Sequence, residues 1–118
     1  MIEYYILHDT IVLLNSSNID KYSNLIKSLK NLDLVNIEKN VDLVLIPGIT
    51  SLTISDSTFN NEFKLVDSLE ELTFKYACVF NKQIILNENL KSLTMGEKFN
   101  CQIQLNKKLN KLILNNDF

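Results

Sequence analysis

The stretch ITSLTISDSTFNNEFKLVDS, residues 49–68, decides the fold, because the chain repeats it twice more and begins it again. Residues 69–89 read LEELTFKYACVFNKQIILNEN, residues 90–108 read LKSLTMGEKFNCQIQLNKK, and residues 109–118 read LNKLILNNDF. The common grammar is L-x-x-L-x-φ, a short variable stretch, then F-N-x-x-φ-x-L, with φ apolar. Its anchors are Ile49, Leu69, Leu90 and Leu109; Leu52, Leu72, Leu93 and Leu112; Ile54, Phe74, Met95 and Leu114; and Phe59, Phe80, Phe99 and Phe118. Phe63, Ile84 and Ile103 then precede Leu65, Leu86 and Leu105. The spacing from one unit to the next is 20, 21 and 19 residues. Self-similarity at such a period is the signature of a repeat architecture.

The physics of the unit is definite. Alternation in L-x-φ sends two side chains to one face of a short strand and the residues between them to the other. One coil of this size cannot bury that face alone, so coils stack and like residues form continuous apolar columns. Strands of successive coils become parallel neighbours roughly 4.8 Å apart. The expected fold is a repeat solenoid of the leucine-rich-repeat kind. It has one short parallel sheet of about five strands, an N-terminal hairpin or strand cap with one amphipathic helix, and an irregular convex side. Asn60, Asn81 and Asn100, each following a Phe, are placed to bond backbone groups where the coil turns back. The alternative reading of these residues is an Asn ladder that recognises a ligand.

The recurring FNNEF, FNKQI and FNCQI, each preceded by SLTI, ELTF or SLTM, resemble FNIP repeats. These are leucine-rich-repeat-like units abundant in slime moulds and giant viruses of amoebae. The resemblance covers Ile49 to Phe118, and the family's usual Pro after the FN pair is absent. It implies a protein-interaction module. Many members carry an N-terminal F-box that links them to ubiquitin ligases, and residues 1–48 show no convincing F-box.

Composition agrees with one globular domain, 1–118, in which residues 1–48 form a cap with degenerate repeats and residues 49–118 the regular coils. Of 118 residues, 46% are apolar, and 12 Lys against 14 acidic residues leave a net charge of -2. A nucleic-acid or membrane partner needs a concentrated positive field, which this balance and the absence of Arg argue against. No apolar run approaches the length of a membrane span, and MIEYYILHDT lacks the basic start of a signal peptide. The expectation is an intracellular, cytoplasmic protein, in the host cytoplasm if viral.

Upstream of Ile49 the grammar fades. LKNLDL supplies Leu29, Leu32 and Leu34, with Leu43 and Leu45 at the positions of Phe63 and Leu65 and Lys39 at that of Phe59. A further step back reaches Val12, Leu14, Ile19 and Leu25. Ile2 to Leu7 reads as a capping strand, and His8-Asp9 as a two-residue hairpin turn or a plain corner. Ile19, Tyr22, Leu25, Ile26 and Leu29 stand at helical spacing, predicting a helix of about 12 residues with Asn18 as its N-cap and Asp20 in the first turn. VDLVLIPGI reads as a strand followed by a turn.

No catalytic constellation emerges, and the chain is expected not to be an enzyme. His8 is the only imidazole, and with Cys78 and Cys101 at different points of their coils neither a zinc site nor a disulfide is indicated. Glu70 and Glu71 are consecutive on a strand and point to opposite faces. The two Gly are isolated, so no phosphate loop exists and no cofactor is expected.

Recognition therefore falls to the open face of the sheet, and a protein partner of unknown identity is expected there. Its rows run Asn31, Ser51, Glu71, Ser92, Lys111; then Asp33, Thr53, Thr73, Thr94, Ile113; then Val35, Ser55, Lys75, Gly96, Asn115. Glu71 and Lys75 are the strongest recognition candidates, with Asp33, Ser51, Thr53, Thr73, Thr94 and Lys111 around them. Ser and Thr also suit exposed strand positions for structural reasons alone. A second role is self-assembly. The last strand has only residues 115–118 after it, so Leu112, Leu114 and Phe118 are expected to expose an apolar layer suited to a homodimer interface.

Overall fold

A computed structural model of the chain describes residues 1–115. It is a β-solenoid of about five turns carrying one helix and one seven-stranded sheet. The strands are β1 (Tyr4–Leu7), β2 (Thr10–Leu13), β3 (Asn31–Leu34), β4 (Ser51–Ile54), β5 (Glu71–Phe74), β6 (Ser92–Met95) and β7 (Lys111–Leu114), lying side by side in chain order. From β2 onward every neighbour is parallel, and β1 alone runs antiparallel, joined to β2 through the His8-Asp9 turn. That turn is a two-residue hairpin, and His8 takes the left-handed conformation, φ 55°, that its tight geometry needs.

The ladder is in register with the sequence repeat. Leu32, Leu52, Leu72, Leu93 and Leu112 stand abreast, and Leu34, Ile54, Phe74 follow in the next inward column. All of these up to Leu93, together with Met95, are excluded from water. Burying each such side chain contributes on the order of 1.5–3 kcal/mol, so the columns dominate stability. Phe59, Phe80 and Phe99 form the expected column on the far side of the core. Their rings lie nearly coplanar in orientation, 5.8 Å and 6.3 Å apart between successive centroids. Phe74 stacks on Phe80 at 4.5 Å and fills the space between strand and corner.

The N-terminal region departs from expectation in three respects. First, β2 is a sixth parallel strand, and its inward residues are Ile11 and Leu13, paired with Leu32 and Leu34. The step back to Val12 and Leu14 is thus one residue out of phase; Val12 points to the open face. Second, the helix α1 spans only Ser23–Leu29 and is capped by Tyr22 rather than Asn18. A separate 3-10 turn, Ser16–Asn18, precedes it, and there Asn15 accepts a hydrogen bond from the Ser17 N–H at 2.9 Å. Lys30, with φ 66°, ends the helix by turning left-handed and sends the chain into β3. Third, residues 41–46 join no ladder, so the expected strand there is absent. Leu43 and Leu45 are buried as anticipated, while Lys39 is exposed and Ile37 fills the core nearby.

Variation in coil length is confined to one corner. From the last strand residue to the Phe takes five residues after Ile54, six after Phe74 and four after Met95, whereas the Phe-to-Leu spacing is six in all three coils. The longest corner therefore sits directly against the shortest. Gly96 resolves that mismatch: a Cβ there would lie 2.7 Å from the Cys78 carbonyl oxygen and 2.9 Å from that of Lys75. Backbone atoms cannot step aside as a flexible side chain would. Gly96→Ala is accordingly expected to cost about 1–3 kcal/mol, read as a lowered urea midpoint with an unchanged slope.

Candidate functional site

Every strand from β3 to β7 contributes residues to the open face. Asn31, Ser51, Glu71, Ser92 and Lys111 are direct cross-strand partners, and so are Asp33, Thr53, Thr73, Thr94 and Ile113, as the sequence rows require. Val12 continues the central row by register with Asp33, but it is buried and adds nothing to the exposed face. Glu71, Lys75 and Lys111 are exposed, and Asp33, Ser51, Thr53, Thr73 and Thr94 half-buried. Among the described residues the only ion pairs are Lys21–Glu3 and Lys91–Glu70, so neither Glu71 nor Lys75 is engaged in one. They stand at the two ends of β5, with three residues between them, and do not pair with each other.

Asp33 is less available. The Ser55 hydroxyl donates to its Oδ1 at 2.5 Å, linking two coils across the face. Gly96 in the third row is buried beneath the preceding corner, so that row is broken between Lys75 and Asn115. Lys75 therefore projects at the corner rather than within a regular row. Glu70 lies off the open face and pairs with Lys91 at 3.0 Å, as the alternation of strand faces demands.

The Asn residues serve the coil-to-coil contacts. The Asn60 Oδ1 accepts from the Asn81 N–H at 2.8 Å, and the Asn81 Oδ1 from the Asn100 N–H at 2.7 Å. A second ladder on the next corner went unread in the sequence. Asn87 donates to the Leu69 carbonyl at 2.8 Å, and Asn106 to that of Asn87 at 2.6 Å. The signal was present as L-N-x-x-L at Leu86 and Leu105, obscured because Val66 stands in the first unit.

Electrostatic perturbation is concentrated away from the open face. Glu3 accepts hydrogen bonds from the Lys21 ammonium, at 2.7 Å, and from the Tyr22 hydroxyl. Those bonds, Lys21 first, hold its carboxyl below the ordinary range. They tie β1 to α1, where Tyr4 and Tyr22 also pack at 4.6 Å. Burial raises the Cys78 thiol, which lies 3.3 Å from the Asp56 carbonyl oxygen. Cys78 and Cys101 are both free thiols. His8 is exposed on its turn, and among the described residues no three His, Cys, Asp or Glu side chains could share a metal ion.

Two clefts flank residues 43–47 on the convex side. The larger, about 730 Å³, lies between the 3-10 turn, α1 and that segment, with Asp20, Lys27, Glu38 and Asp42 around it. Its neighbour, about 590 Å³, is more apolar and bordered by Val44, Pro47, Leu65 and Val66. Neither gathers the side chains singled out in the sequence.

At the C-terminal side of the sheet, Leu112 is 39% and Leu114 44% exposed, whereas Leu93 and Met95 one coil earlier are fully buried. Phe118, the third residue expected at this interface, lies outside the described residues. Fold and face together define a repeat solenoid with an open parallel ladder. No model of a known protein family, no characterised protein and no solved structure matches the chain.

Asp56 offers a pH test of the coil contacts. Burial alone would raise its carboxyl, but hydrogen bonds from the Ile37 N–H at 2.8 Å and from the Thr58 hydroxyl and N–H outweigh that and leave it lowered. A lowered carboxylate contributes stability above its unfolded pKa and loses it as pH falls through the folded value. Asp56→Ala should therefore cost about 1 kcal/mol at neutral pH. That difference from the native chain should shrink once the pH drops below about 4, measured by urea unfolding at each pH.

Proposed function

We propose that this chain is a non-catalytic protein-interaction module that presents the open face of its solenoid to a protein partner. The reading is carried by Glu71 and Lys75. They are opposite charges exposed at the two ends of β5, Glu71 on the strand and Lys75 on the corner that follows, and neither has an ion-pair partner among the described residues. Charged groups held this way on a rigid scaffold give a partner orientation and specificity. Thr53, Thr73 and Thr94 between them supply evenly spaced hydroxyls one strand apart. We further propose that the coils are leucine-rich-repeat-like units of the FNIP kind. Support for that kinship lies in the repeated SLT-φ or ELT-φ strand and the FN corner.

A second reading, self-assembly through the C-terminal side of the sheet, is favoured by the exposure of Leu112, Ile113 and Leu114. An apolar strand with an unpaired edge is a template for another strand.

The two readings respond to different substitutions. The charge-reversed pair Glu71→Lys with Lys75→Glu should weaken capture of a protein partner about tenfold or more, as scored by quantitative pull-down against the native chain. Leu112→Glu should leave capture intact and abolish self-association in sedimentation. An unchanged set of retained proteins at unchanged affinity would reject the open face as the binding surface.

A further inference from the structure

Both outer strands of the sheet leave one edge without a strand, and both are apolar. In β1, Tyr5, Ile6 and Leu7 are 48%, 49% and 55% exposed. In β7, Leu112, Ile113 and Leu114 are 39%, 38% and 44% exposed. We propose that this chain assembles head to tail, with β1 of one copy pairing antiparallel with β7 of the next. The proposal rests on the self-assembly reading and gives it a direction and a partner surface.

The register follows from faces and columns already present. β1 places Ile6 beside Ile11 and Tyr4 beside Leu13, so these two extend the inward columns, while Tyr5 extends the central open row through Val12. The same columns reach the other side of the sheet as Leu112, Leu114 and Ile113. Antiparallel pairing that keeps the faces aligned sets Ile6 against the next copy's Leu112, Tyr4 against its Leu114 and Tyr5 against its Ile113. Leu7 then meets Lys111, whose amine can reach the exposed Asp9 of the hairpin. In three of the four pairs an apolar or aromatic side chain opposes an apolar one, as stable cross-strand pairs do.

Orientation is consistent as well. Because β1 alone is antiparallel, a second antiparallel junction restores the common direction of the other strands. Neighbouring copies are then related by translation without a half-turn. Such a contact does not close on itself and builds a filament. Seven strands per copy at roughly 4.8 Å predict a repeat of about 34 Å.

Charge distinguishes this arrangement from pairing of two β7 strands. Residues 1–30 hold Glu3, Asp9 and Asp20 against Lys21, Lys27 and Lys30, with Lys21 already paired to Glu3, whereas residues 96–115 hold Lys98, Lys107, Lys108 and Lys111 against Glu97 alone. Head-to-tail contact joins a charge-balanced side to the basic side. Pairing β7 with itself would bring the two basic sides together and leave β1 uncovered.

A complementation experiment tests the direction. Tyr5→Glu blocks the head and Ile113→Glu blocks the tail, both at partly exposed open-face positions. The native chain should grow in sedimentation velocity as concentration rises. Each variant alone should stay monomeric with native circular dichroism, and their equimolar mixture should form a heterodimer that stops there. A Tyr5→Glu variant that still dimerises alone would overturn the head-to-tail contact while sparing self-assembly through β7. A mixture that stays monomeric while the native chain assembles would overturn it too, and a native chain monomeric at every concentration would reject both. If either variant fails to fold, Tyr5→Cys mixed with Ile113→Cys, both on a Cys101→Ser background, replaces it. Mild oxidation should then give a disulfide-linked dimer of the two different variants; only like-with-like products, or none, would count against the contact.

Discussion

The in-register parallel ladder is the constraint on which everything else in this molecule depends. Each strand is four residues long, too short to hold together without neighbours above and below. A slip of one residue would turn Leu52, Leu72 and Leu93 outward and bring Thr53, Thr73 and Thr94 into the core. The stacked Phe rings and the two Asn ladders enforce the same one-coil offset from the opposite side. Side-chain hydrogen bonds accordingly run mostly between residues one coil apart, as from Asn36 to the Leu14 carbonyl and from Asn115 to that of Met95. Local and long-range preferences thus specify one arrangement.

Asparagine takes a role that other chains give to glycine and proline. A coil must turn back several times per layer, and each turn leaves backbone groups that need partners. An amide carries both donors and an acceptor, so one side chain can serve the coil before it and its own turn. Asn106 does this, donating to the Asn87 and Leu90 carbonyls and accepting from the Leu109 N–H at 2.9 Å. Corners held by side chains tolerate changes of length, provided one corner takes all the change. Gly96 marks where that tolerance reaches its limit, since the shortened corner packs against backbone.

Legibility in the sequence followed the strength of this coupling. Between Ile49 and Leu114 every anchor repeats, so strands, inward columns and the Phe stack could be read directly. In the first coils the repeat competes with local sequence. TIVLL is apolar at consecutive positions, so period alone cannot tell Ile11 and Leu13 from Val12 and Leu14. The hairpin partner β1 decides it. The helix is shorter than its periodic stretch because residues 19–22, directly after the 3-10 turn that Asn15 caps, form a turn and helix begins only at Ser23. Residues 41–46 form a nearly continuous apolar run that reads as a strand, yet they lie on the side of the coil where no ladder forms. The first two open-face rows stand in register as the repeat requires, the third is broken at Gly96, and accessibility was not legible, because it depends on Ser55 reaching Asp33 and on the corner over Gly96.

The same coupling separates positions that the fold fixes from positions that it leaves free. Inward residues are fixed by the coils on either side, so their identity carries information about packing alone. Open-face residues meet cross-strand neighbours weakly, at tenths of a kcal/mol per pair, and the ladder leaves them free to differ. Where Ser51 gives way to Glu71 and then Ser92 in one row, the fold requires none of the three. The charges at Glu71, and at Lys75 on the corner, are thus ones that packing does not dictate. The outer strands pose the complementary question, since stacking satisfies an interior coil on both sides and an outer one on a single side. Leu112 and Ile6 continue columns that the solenoid itself does not complete, and in the proposed assembly each column of one copy is continued by the next.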